Sequence, residues 1–316
     1  MMRFPIQDLL NQEECYQYLL NILHPAGLAC PNGHELPIDQ APHDRKRTPI
    51  VKYRCRECGA VYNIFTDTIL SGTHYDSCTL VLMLRGFSKG APTQMIADEL
   101  ALDYGTVLKW RHLLQEQALV PTEEETLSDE AVESDEMYQN AGEKGDEHDD
   151  PEDPPRQRAN PRRGRGTYEH DRPVIVGTVG RGSGRLQLTI APDSTNETLA
   201  PLIGQQVTEE ATLFSDEAYH FQVVADQDEV DTHYALNHNE NEFARDPDGD
   251  GFHQIHSNTI EGIWVGLRTF LRRFRGVHKK YLAQYVAMFE WAHNLKEVTD
   301  DFIRLLLRPD FTFLPT

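Results

Sequence analysis

Residues 173–192 read PVIVGTVGRGSGRLQLTIAP, and this stretch decides the fold class. Two apolar runs flank the turn GRGSG, which predicts an antiparallel β-hairpin. Before the hairpin, AVESDEMY (131–138) is a candidate strand with Asp135 near its end. Three elements follow it: a capped helix in TNETLAPLIGQQV (195–207), a strand in ATLFSDEAY (211–219) that ends at Asp216, and a long amphipathic helix in HSNTIEGIWVGLRTFLRRFRG (256–276) that carries Glu261.

This order of elements predicts an RNase H-like α/β domain with a mixed sheet. In that arrangement the first and fourth strands are neighbours, so we expect Asp135 and Asp216 to meet at one end of the sheet. Glu261 would approach from the helix that packs on the sheet. Asn258 lies three residues before Glu261 and therefore on the same helix face.

Carboxylates brought this close repel one another unless a cation lies between them. Their hard oxygen ligands favour Mg²⁺ or Mn²⁺. Two such ions, about 3.5–4 Å apart, can activate a water or a 3′-hydroxyl and stabilise the leaving oxygen of a phosphodiester. The alternative for any one acid is a solvated surface charge, since the chain holds 51 Asp and Glu residues. The joint placement at two strand ends and on one helix favours the metal site.

A second candidate metal site lies nearer the N-terminus, where CPNGH (30–34) and CREC (55–58) each offer two ligands. Tetrahedral zinc takes four N or S ligands, and two short turns can present two each. We therefore expect structural zinc on Cys30, His34, Cys55 and Cys58. Three residues separate Cys30 from His34 instead of the usual two, so His34 is the weakest member. The alternative is a set of buried free cysteines beside a surface histidine.

Three helices are predicted between these sites, in SCTLVLMLRGFSKG (77–90), APTQMIADELAL (91–102) and DYGTVLKWRHLLQEQAL (103–119). Short helices joined by tight turns suit a helix-turn-helix, whose third helix would enter the major groove and carry the DNA contacts Thr106, Lys109 and Arg111. A plain three-helix bundle with Trp110 in its core fits this segment equally well.

The net charge of −21 argues at first against a nucleic-acid partner. The charge is unevenly distributed, because residues 123–153 hold 15 acids and one lysine. A local basic patch matters more for binding a polyanion than the overall sum. Basic residues cluster elsewhere, at Arg156, Arg158, Arg162, Arg163, Arg165, Arg268, Arg272, Arg273, Arg275, Lys279 and Lys280.

The whole chain is predicted to be an α+β multidomain protein. Residues 1–72 would hold an N-terminal helix and a zinc ribbon, and residues 73–120 the helix-turn-helix. Residues 121–316 would form the RNase H-like domain, with a disordered charged insertion near 141–167. No apolar run is long enough to span a bilayer and no signal peptide is visible. We therefore expect a cytoplasmic, nucleoid-associated protein without a membrane partner.

Several motifs together resemble the insertion-sequence transposases of the DDE superfamily, in the group with an N-terminal zinc ribbon. They occur in family order over nearly the whole chain: KYRCRECGAVYNIFTDTIL (52–70), ESDEMYQNAGEKG (133–145), SDEAY (215–219), HSNTIEGIW (256–264) and KKYLAQYVAMFEWAHN (279–294). The chain departs from the family in its first zinc pair and in two insertions, DEHDDPEDPP (146–155) and NENEFARDPDGDG (239–251).

The resemblance implies that Asp135 and Asp216 are the first two catalytic acids. The third position in this group is an acid or an asparagine, and here Glu261 is favoured over Asn258. Arg268 fits the basic residue that often follows seven positions later. Basic residues further along this helix and just after it, Arg272, Arg273 and Arg275, would face the DNA.

The implied function is a DNA transposase that binds terminal inverted repeats, cleaves DNA with two Mg²⁺ or Mn²⁺ ions and joins the freed end to target DNA. Its partners would be DNA and further copies of itself, because two ends must be brought together. Two alternatives remain: a zinc-ribbon DNA-binding regulator without catalysis, and an RNase H-like nuclease without joining activity.

Overall fold

The computed structural model describes residues 11–119, 126–143, 152, 164–216, 230–236, 244–246, 249, 251, 254–296 and 300–307. The chain divides into two units. One comprises Met1–Val120 together with Leu295–Thr316, and the other comprises Pro121–Asn294. Within the described ranges, no helix is both long and apolar enough to cross a membrane.

The first unit contains five helices and one small sheet among its described residues. They are helices α1 (Gln12–Leu23), α2 (Ser77–Ser88), α3 (Thr93–Leu100), α4 (Tyr104–Gln117) and α8 (Asp300–Leu307, the last helix in the described ranges), with antiparallel strands β1 (Tyr53–Arg54) and β2 (Val61–Tyr62). Side chains cap three of the helices: Asn11 accepts from Glu13 N, Asp76 from Thr79 N, and Asp103 from Thr106 N.

One hydrophobic core holds this unit together. Buried residues of the cysteine-rich part, such as Phe65, pack in the same cluster as Leu80 and Phe87 of α2. Ile303 and Leu307 of α8 belong to it as well. Described residues from 11–72 and from 73–119 thus share one core. Helix α8 belongs to the same unit, although it lies within the predicted RNase H-like range of residues 121–316.

The second unit is built on a five-stranded mixed sheet. Its strands are β3 (Ala131–Tyr138), β4 (Val174–Gly180), β5 (Leu186–Ala191), β6 (Thr212–Asp216) and β7 (Thr232–Leu236), in the order β5-β4-β3-β6-β7. The pairs β3–β4 and β4–β5 are antiparallel, whereas β3–β6 and β6–β7 are parallel. The predicted hairpin and the predicted neighbourhood of first and fourth strands are thus confirmed, and the order is the one that the RNase H-like prediction requires.

Helices cover both faces of this sheet. Helix α5 (Asn196–Gly204) shares one cluster with Val174 and Val176 of β4. Helices α6 (Asn258–Arg272) and α7 (Leu282–Asn294) share another with Ile175 and Val179. All seven residues of β4 are consequently buried. A 3-10 turn (Lys279–Tyr281) joins α6 to α7, and the short strands β8 (Ala244–Arg245) and β9 (Ile255–His256) pair before α6.

The predicted charged insertion is anchored by Lys279. Its main-chain N–H donates to Gly142 O at 2.9 Å, and its ammonium group pairs with Glu143 and, at 3.3 Å, with Asp171. It also donates to Tyr168 O. Both flanks of the insertion, near 141–143 and 168–171, are therefore ordered, while residues 144–151 and 153–163 lie outside the described ranges. Lys279 is only 10 % exposed, so it does not serve the basic surface with which the sequence groups it.

Helix α7 covers the free edge of β5 with side chains. Asn294 accepts from Leu186 N at 2.7 Å and donates to Leu186 O at 2.8 Å, while Glu290 accepts from Leu188 N at 2.8 Å. These bonds satisfy backbone groups that an edge strand would otherwise expose. Burial raises the pKa of Glu290 to about 7, against an ordinary value of 4.5.

The raised pKa makes stability depend on pH. In the unfolded chain Glu290 loses its proton near pH 4.5, whereas in the folded chain it keeps the proton until about pH 7. Stability is therefore lost as the pH rises through this window. We expect Glu290→Gln to be more stable than the unchanged chain by about 1–3 kcal/mol at pH 8 and equally stable at pH 4.5. Denaturant titrations at both pH values measure this, and a pH-independent difference would contradict it.

The contacts of Lys279 predict a large cost for its removal. Lys279→Met leaves the buried carboxylates Glu143 and Asp171 without their cation, and we expect a loss of about 3–5 kcal/mol in unfolding free energy. Lys280→Met is the matched control, because the neighbouring side chain is exposed and should change stability by less than about 0.5 kcal/mol. Equal losses in the two variants would show that the ion cluster does not stabilise the fold.

Candidate active site and candidate metal centre

The sheet brings the backbone positions of the two predicted acids together. Strands β3 and β6 pair with Ala131 opposite Thr212 and Glu133 opposite Phe214. Asp135 and Asp216 each follow this last pair by two residues, on adjacent strands. On its other side, Asp216 pairs with Leu236 of β7. Both acid positions therefore lie in the centre of the sheet, near the C-terminal end of β6.

Asp135 is held by hydrogen bonds to both of its carboxylate oxygens. The indole Nε1 of Trp264 donates to Oδ2 at 2.7 Å, and the Glu136 N–H donates to Oδ1 at 2.8 Å. Ligating carboxylates are commonly fixed by such partners. The environment of Asp135 therefore fits a ligand of Mg²⁺ or Mn²⁺.

A glycine makes room for this indole. Gly177 of β4 lies opposite Asp135 in the antiparallel register. A Cβ atom at this position would lie 2.5 Å from the ring of Trp264, closer than a carbon contact allows. The absence of a side chain at 177 thus lets the indole reach across the strand to Asp135.

Helix α6 presents the other predicted residues. Asn258 and Glu261 lie in its first turn and are exposed, as is Arg268 two turns later. Glu261 lies one turn before Trp264, the residue that contacts Asp135. The helix that carries Glu261 is therefore attached directly to the strand that carries Asp135. Beyond Arg268, the side chains of Arg272, Arg273 and Arg275 are also exposed.

Sequence reasoning missed Glu133, which is fully buried although charged. Its Oε2 accepts from the main-chain N–H groups of Thr259 (2.8 Å) and Ile260 (3.1 Å). Its Oε1 accepts from the Thr259 hydroxyl at 2.9 Å and from Arg181 Nε at 2.9 Å. The available signal was an acid within a predicted strand, two residues before Asp135 and on the same face as it.

Arg181 extends this contact to the segment before α6. Its guanidinium donates to Gln254 O at 2.7 Å and to His256 O, and it lies 3.6 Å from the centroid of the Phe214 ring. Burial, followed by the charge of Arg181, lowers the pKa of His256. The arginine therefore joins the end of β4 to the approach of α6.

The four predicted zinc ligands converge. The ligand atoms of Cys30, His34, Cys55 and Cys58 all lie within 4.8 Å of one another. The wider spacing of the first pair is accommodated by a turn in which Gly33, at φ +82°, donates to Cys30 O. This turn brings His34 Nδ1 to 3.3 Å from Cys30 Sγ and 3.6 Å from Cys55 Sγ.

These separations fit zinc. With Zn–S near 2.3 Å and Zn–N near 2.0 Å, a tetrahedral ion separates two sulfurs by about 3.8 Å and sulfur from nitrogen by about 3.5 Å. The Cys30–Cys58 separation is 3.7 Å. The Ala60 N–H lowers the pKa of Cys58 to about 6, which favours the thiolate. The second nitrogen of His34 lies 3.5 Å from Glu57, the type of outer partner that zinc-bound histidines commonly have.

One predicted DNA contact is wrong. Arg111 is fully buried: its Nε donates to Thr93 Oγ1 at 2.9 Å, it donates to Ala91 O, and its guanidinium lies over the Phe87 ring. A guanidinium enclosed in this way does not reach a phosphate. Lys109 on the same helix is exposed, whereas the Thr106 hydroxyl donates to Asp103, the cap of α4.

Residues 126–294, more than half of the chain, match the sequence model of the ISXO2-like transposase domain family. A relative from Halobacterium salinarum, described as an uncharacterised protein in transposable element ISH50, is 26 % identical over 289 residues. The match covers 90 % of this chain and 92 % of the relative.

Two solved structures show weak similarity. A pre-cleavage Mos1 transpososome matches at 9 % identity, over 77 % of this chain and 81 % of its own, with a TM-score of 0.27. A Mos1 transposase paired-end complex with the left transposon end matches at 13 % identity, over 71 % and 76 %, with the same TM-score. A TM-score of 0.27 is too low to support a structural conclusion about this chain.

The geometry of the four Cys and His ligands predicts about one zinc ion per chain. Cys58→Ala should lose this zinc, and chelation should unfold the cysteine-rich part, because metal binding contributes to its folding. Cys78→Ala is the matched control, since this buried thiol lies outside the ligand group and its loss should leave the zinc in place. Elemental analysis measures the zinc content. Unchanged zinc in Cys58→Ala would contradict the site.

Proposed function

The chain belongs to the family of ISXO2-like transposase domains, and we propose that it is an insertion-sequence transposase that cleaves and joins DNA with divalent metal ions. The observation that carries this proposal is the parallel pairing of β3 with β6, since Asp135 and Asp216 each follow the last pair, Glu133 and Phe214, by two residues. The bond from Trp264 of α6 to Asp135 supports Glu261 as the third member of the site.

The proposed catalytic residues have distinct roles. Asp135, Asp216 and Glu261 hold the metal ions, with Asn258 as the alternative to Glu261 in the same turn. Two bound ions would activate a water or a 3′-hydroxyl and stabilise the leaving oxygen. Trp264 fixes the orientation of Asp135 through its indole N–H. Arg268, on the exposed face two turns after Glu261, is placed to contact a DNA phosphate near the site.

DNA binding by this acidic chain requires local positive charge. A basic cluster begins two turns after Glu261, at the end of α6 and just beyond it; its exposed members are Arg268, Arg272, Arg273 and Arg275. Arginines on the helix that carries a catalytic acid would neutralise the phosphates of the strand being cut. The affinity should therefore fall with salt concentration.

The N-terminal unit would recognise the terminal inverted repeats. Its zinc ribbon, formed around Cys30, His34, Cys55 and Cys58, would be structural. Helices α3 and α4 are joined by a tight connection with Ala101 at φ +52°, and α4 exposes Lys109. We assign α4 as the recognition helix of a helix-turn-helix, with Lys109 and Thr106 as contacts. Two ends must be held together for transposition, so the active form would be an oligomer, acting on DNA in the cytoplasm.

A strand-transfer assay on a terminal-repeat oligonucleotide with target plasmid and Mg²⁺ tests the proposal. The unchanged chain should give joined products. Asp135→Asn, Asp216→Asn and Glu261→Gln should each lose about 100-fold or more in rate, the cost of removing a strong electrostatic group from a catalytic site. Glu209→Gln is the matched control, because it removes an exposed carboxylate of the same unit away from the site.

Each other outcome refutes a defined part of the proposal. Cut but unjoined products would identify a nuclease, and a mobility shift without cutting would identify a DNA-binding regulator. If Glu261→Gln stays active while Asn258→Ala does not, Asn258 is the third ligand.

A further inference from the structure

The start of helix α6 is capped from the sheet. Ser257 occupies the N-cap position but makes no side-chain cap hydrogen bond. The carboxylate of Glu133 takes that role, since it accepts from the N–H groups of Thr259 and Ile260. These are among the first N–H groups of the helix, which have no partner within it. A negative charge at this end of a helix is also favourable.

Glu133 and Asp135 together attach α6 to β3 at two points. Glu133 binds the helix at Thr259 and Ile260, and Asp135 binds it at Trp264. Two residues of a strand span about 6.6 Å. The step of four positions from Ile260 to Trp264 spans about 6 Å along the helix axis. The attachment points therefore match along both elements, and Glu261 lies between them.

The bonding of Glu133 excludes a role as a metal ligand. A carboxylate has about four lone-pair sites. Four donors occupy them: Thr259 N, Thr259 Oγ1, Ile260 N and Arg181 Nε. The side chain is fully buried, so it does not contact DNA either. Its effect on chemistry must be exerted through α6.

We propose that Glu133 is a positioning residue of the metal site, which fixes the first turn of α6 so that Glu261 or Asn258 meets the same ion as Asp135. This inference rests on the proposed function. Mg²⁺ requires nearly ideal octahedral geometry, so a small displacement of one ligand weakens binding. Arg181 supports Glu133 by compensating its buried charge at 2.9 Å.

Glu133→Gln is the direct test. The glutamine side chain has the same size, but its NH₂ group is a donor and not an acceptor. It would face either the N–H groups of Thr259 and Ile260 or the guanidinium of Arg181, which are donors as well. We expect faster hydrogen exchange of the Thr259 and Ile260 amides, because their acceptor is weakened. We also expect Mn²⁺ to bind about 10–100-fold more weakly to the zinc-loaded full chain, as for other residues that orient metal ligands. Electron paramagnetic resonance of free Mn²⁺ measures this without DNA or turnover.

The kinetic signature separates positioning from substrate binding. Glu133→Gln should lower kcat about 10–100-fold with KM for DNA unchanged within about threefold. Added Mg²⁺ should recover part of the loss. Glu133→Asp, which keeps the charge on a shorter side chain, should recover more activity than the amide.

Two further variants serve as controls. Glu290→Gln makes the same change at another buried glutamate, which accepts from β5 and not from α6, and should leave Mn²⁺ affinity unchanged. Thr259→Val removes only the hydroxyl donor and should weaken Mn²⁺ binding by a smaller factor, about 3–10-fold. If Glu133→Gln does not fold, the Mn²⁺ affinity of Thr259→Val tests the proposal instead.

The outcomes distinguish the inference from the function it rests on. Unchanged Mn²⁺ affinity and unchanged exchange in both Glu133→Gln and Thr259→Val, with affinity lost in Asp135→Asn, would overturn the positioning role alone. Unchanged affinity in Asp135→Asn would refute the metal site itself, and both proposals with it.

Discussion

The parallel pairing of β3 with β6 is the constraint on which the second unit depends. It brings two strands that lie some 80 residues apart in sequence side by side in the centre of the sheet, and Asp135 and Asp216 lie on these two adjacent strands. Placing two carboxylates on adjacent strands is unfavourable unless a cation or hydrogen-bond donors compensate them. The indole of Trp264 compensates Asp135 in part, and it does so from the helix that also carries Glu261. The sheet, the helix and the proposed metal site therefore depend on the same few contacts.

The first unit is stabilised by a hydrophobic core and a group of metal-ligand side chains instead of by a large sheet. Its strands β1 and β2 are only two residues long and bury little surface on their own. The cysteine-rich part is held by its contacts with the helical core and by the four converging ligands. A bound zinc ion would supply the folding free energy that so small a sheet cannot. The C-terminal helix adds Ile303 and Leu307 to the same core.

Regular patterns made much of this structure predictable. The hairpin at 173–192 has clear strand periodicity and a glycine-rich turn, and three helices of the first unit begin at capping residues. Each of the two Cys and His ligand pairs is presented by a short turn, so the close spacing within each pair predicted the ligand group. This held although three residues, instead of two, separate Cys30 from His34. Such features depend on neighbours in sequence.

Contacts between distant residues could not be predicted in this way. Arg111 follows Trp110 on a predicted recognition helix, and only the packing of α2 and α4 shows that it is enclosed by Phe87 and Thr93. Glu133 looks like one of many acids, and its role depends on a helix that begins more than 120 residues later. Helix α8 falls within the predicted domain range of residues 121–316, and only its contacts in the folded chain show that it joins the core of the first unit.

The central claim is that Asp135, Asp216 and a residue of the first turn of α6 share a divalent cation. Anomalous diffraction from crystals of the zinc-loaded chain soaked in Mn²⁺ tests it most directly. We expect manganese within about 2.5 Å of carboxylate oxygens of Asp135 and Asp216 and of a side-chain oxygen of Glu261 or Asn258. Manganese bound elsewhere, with these side chains too far apart to share an ion, would contradict it.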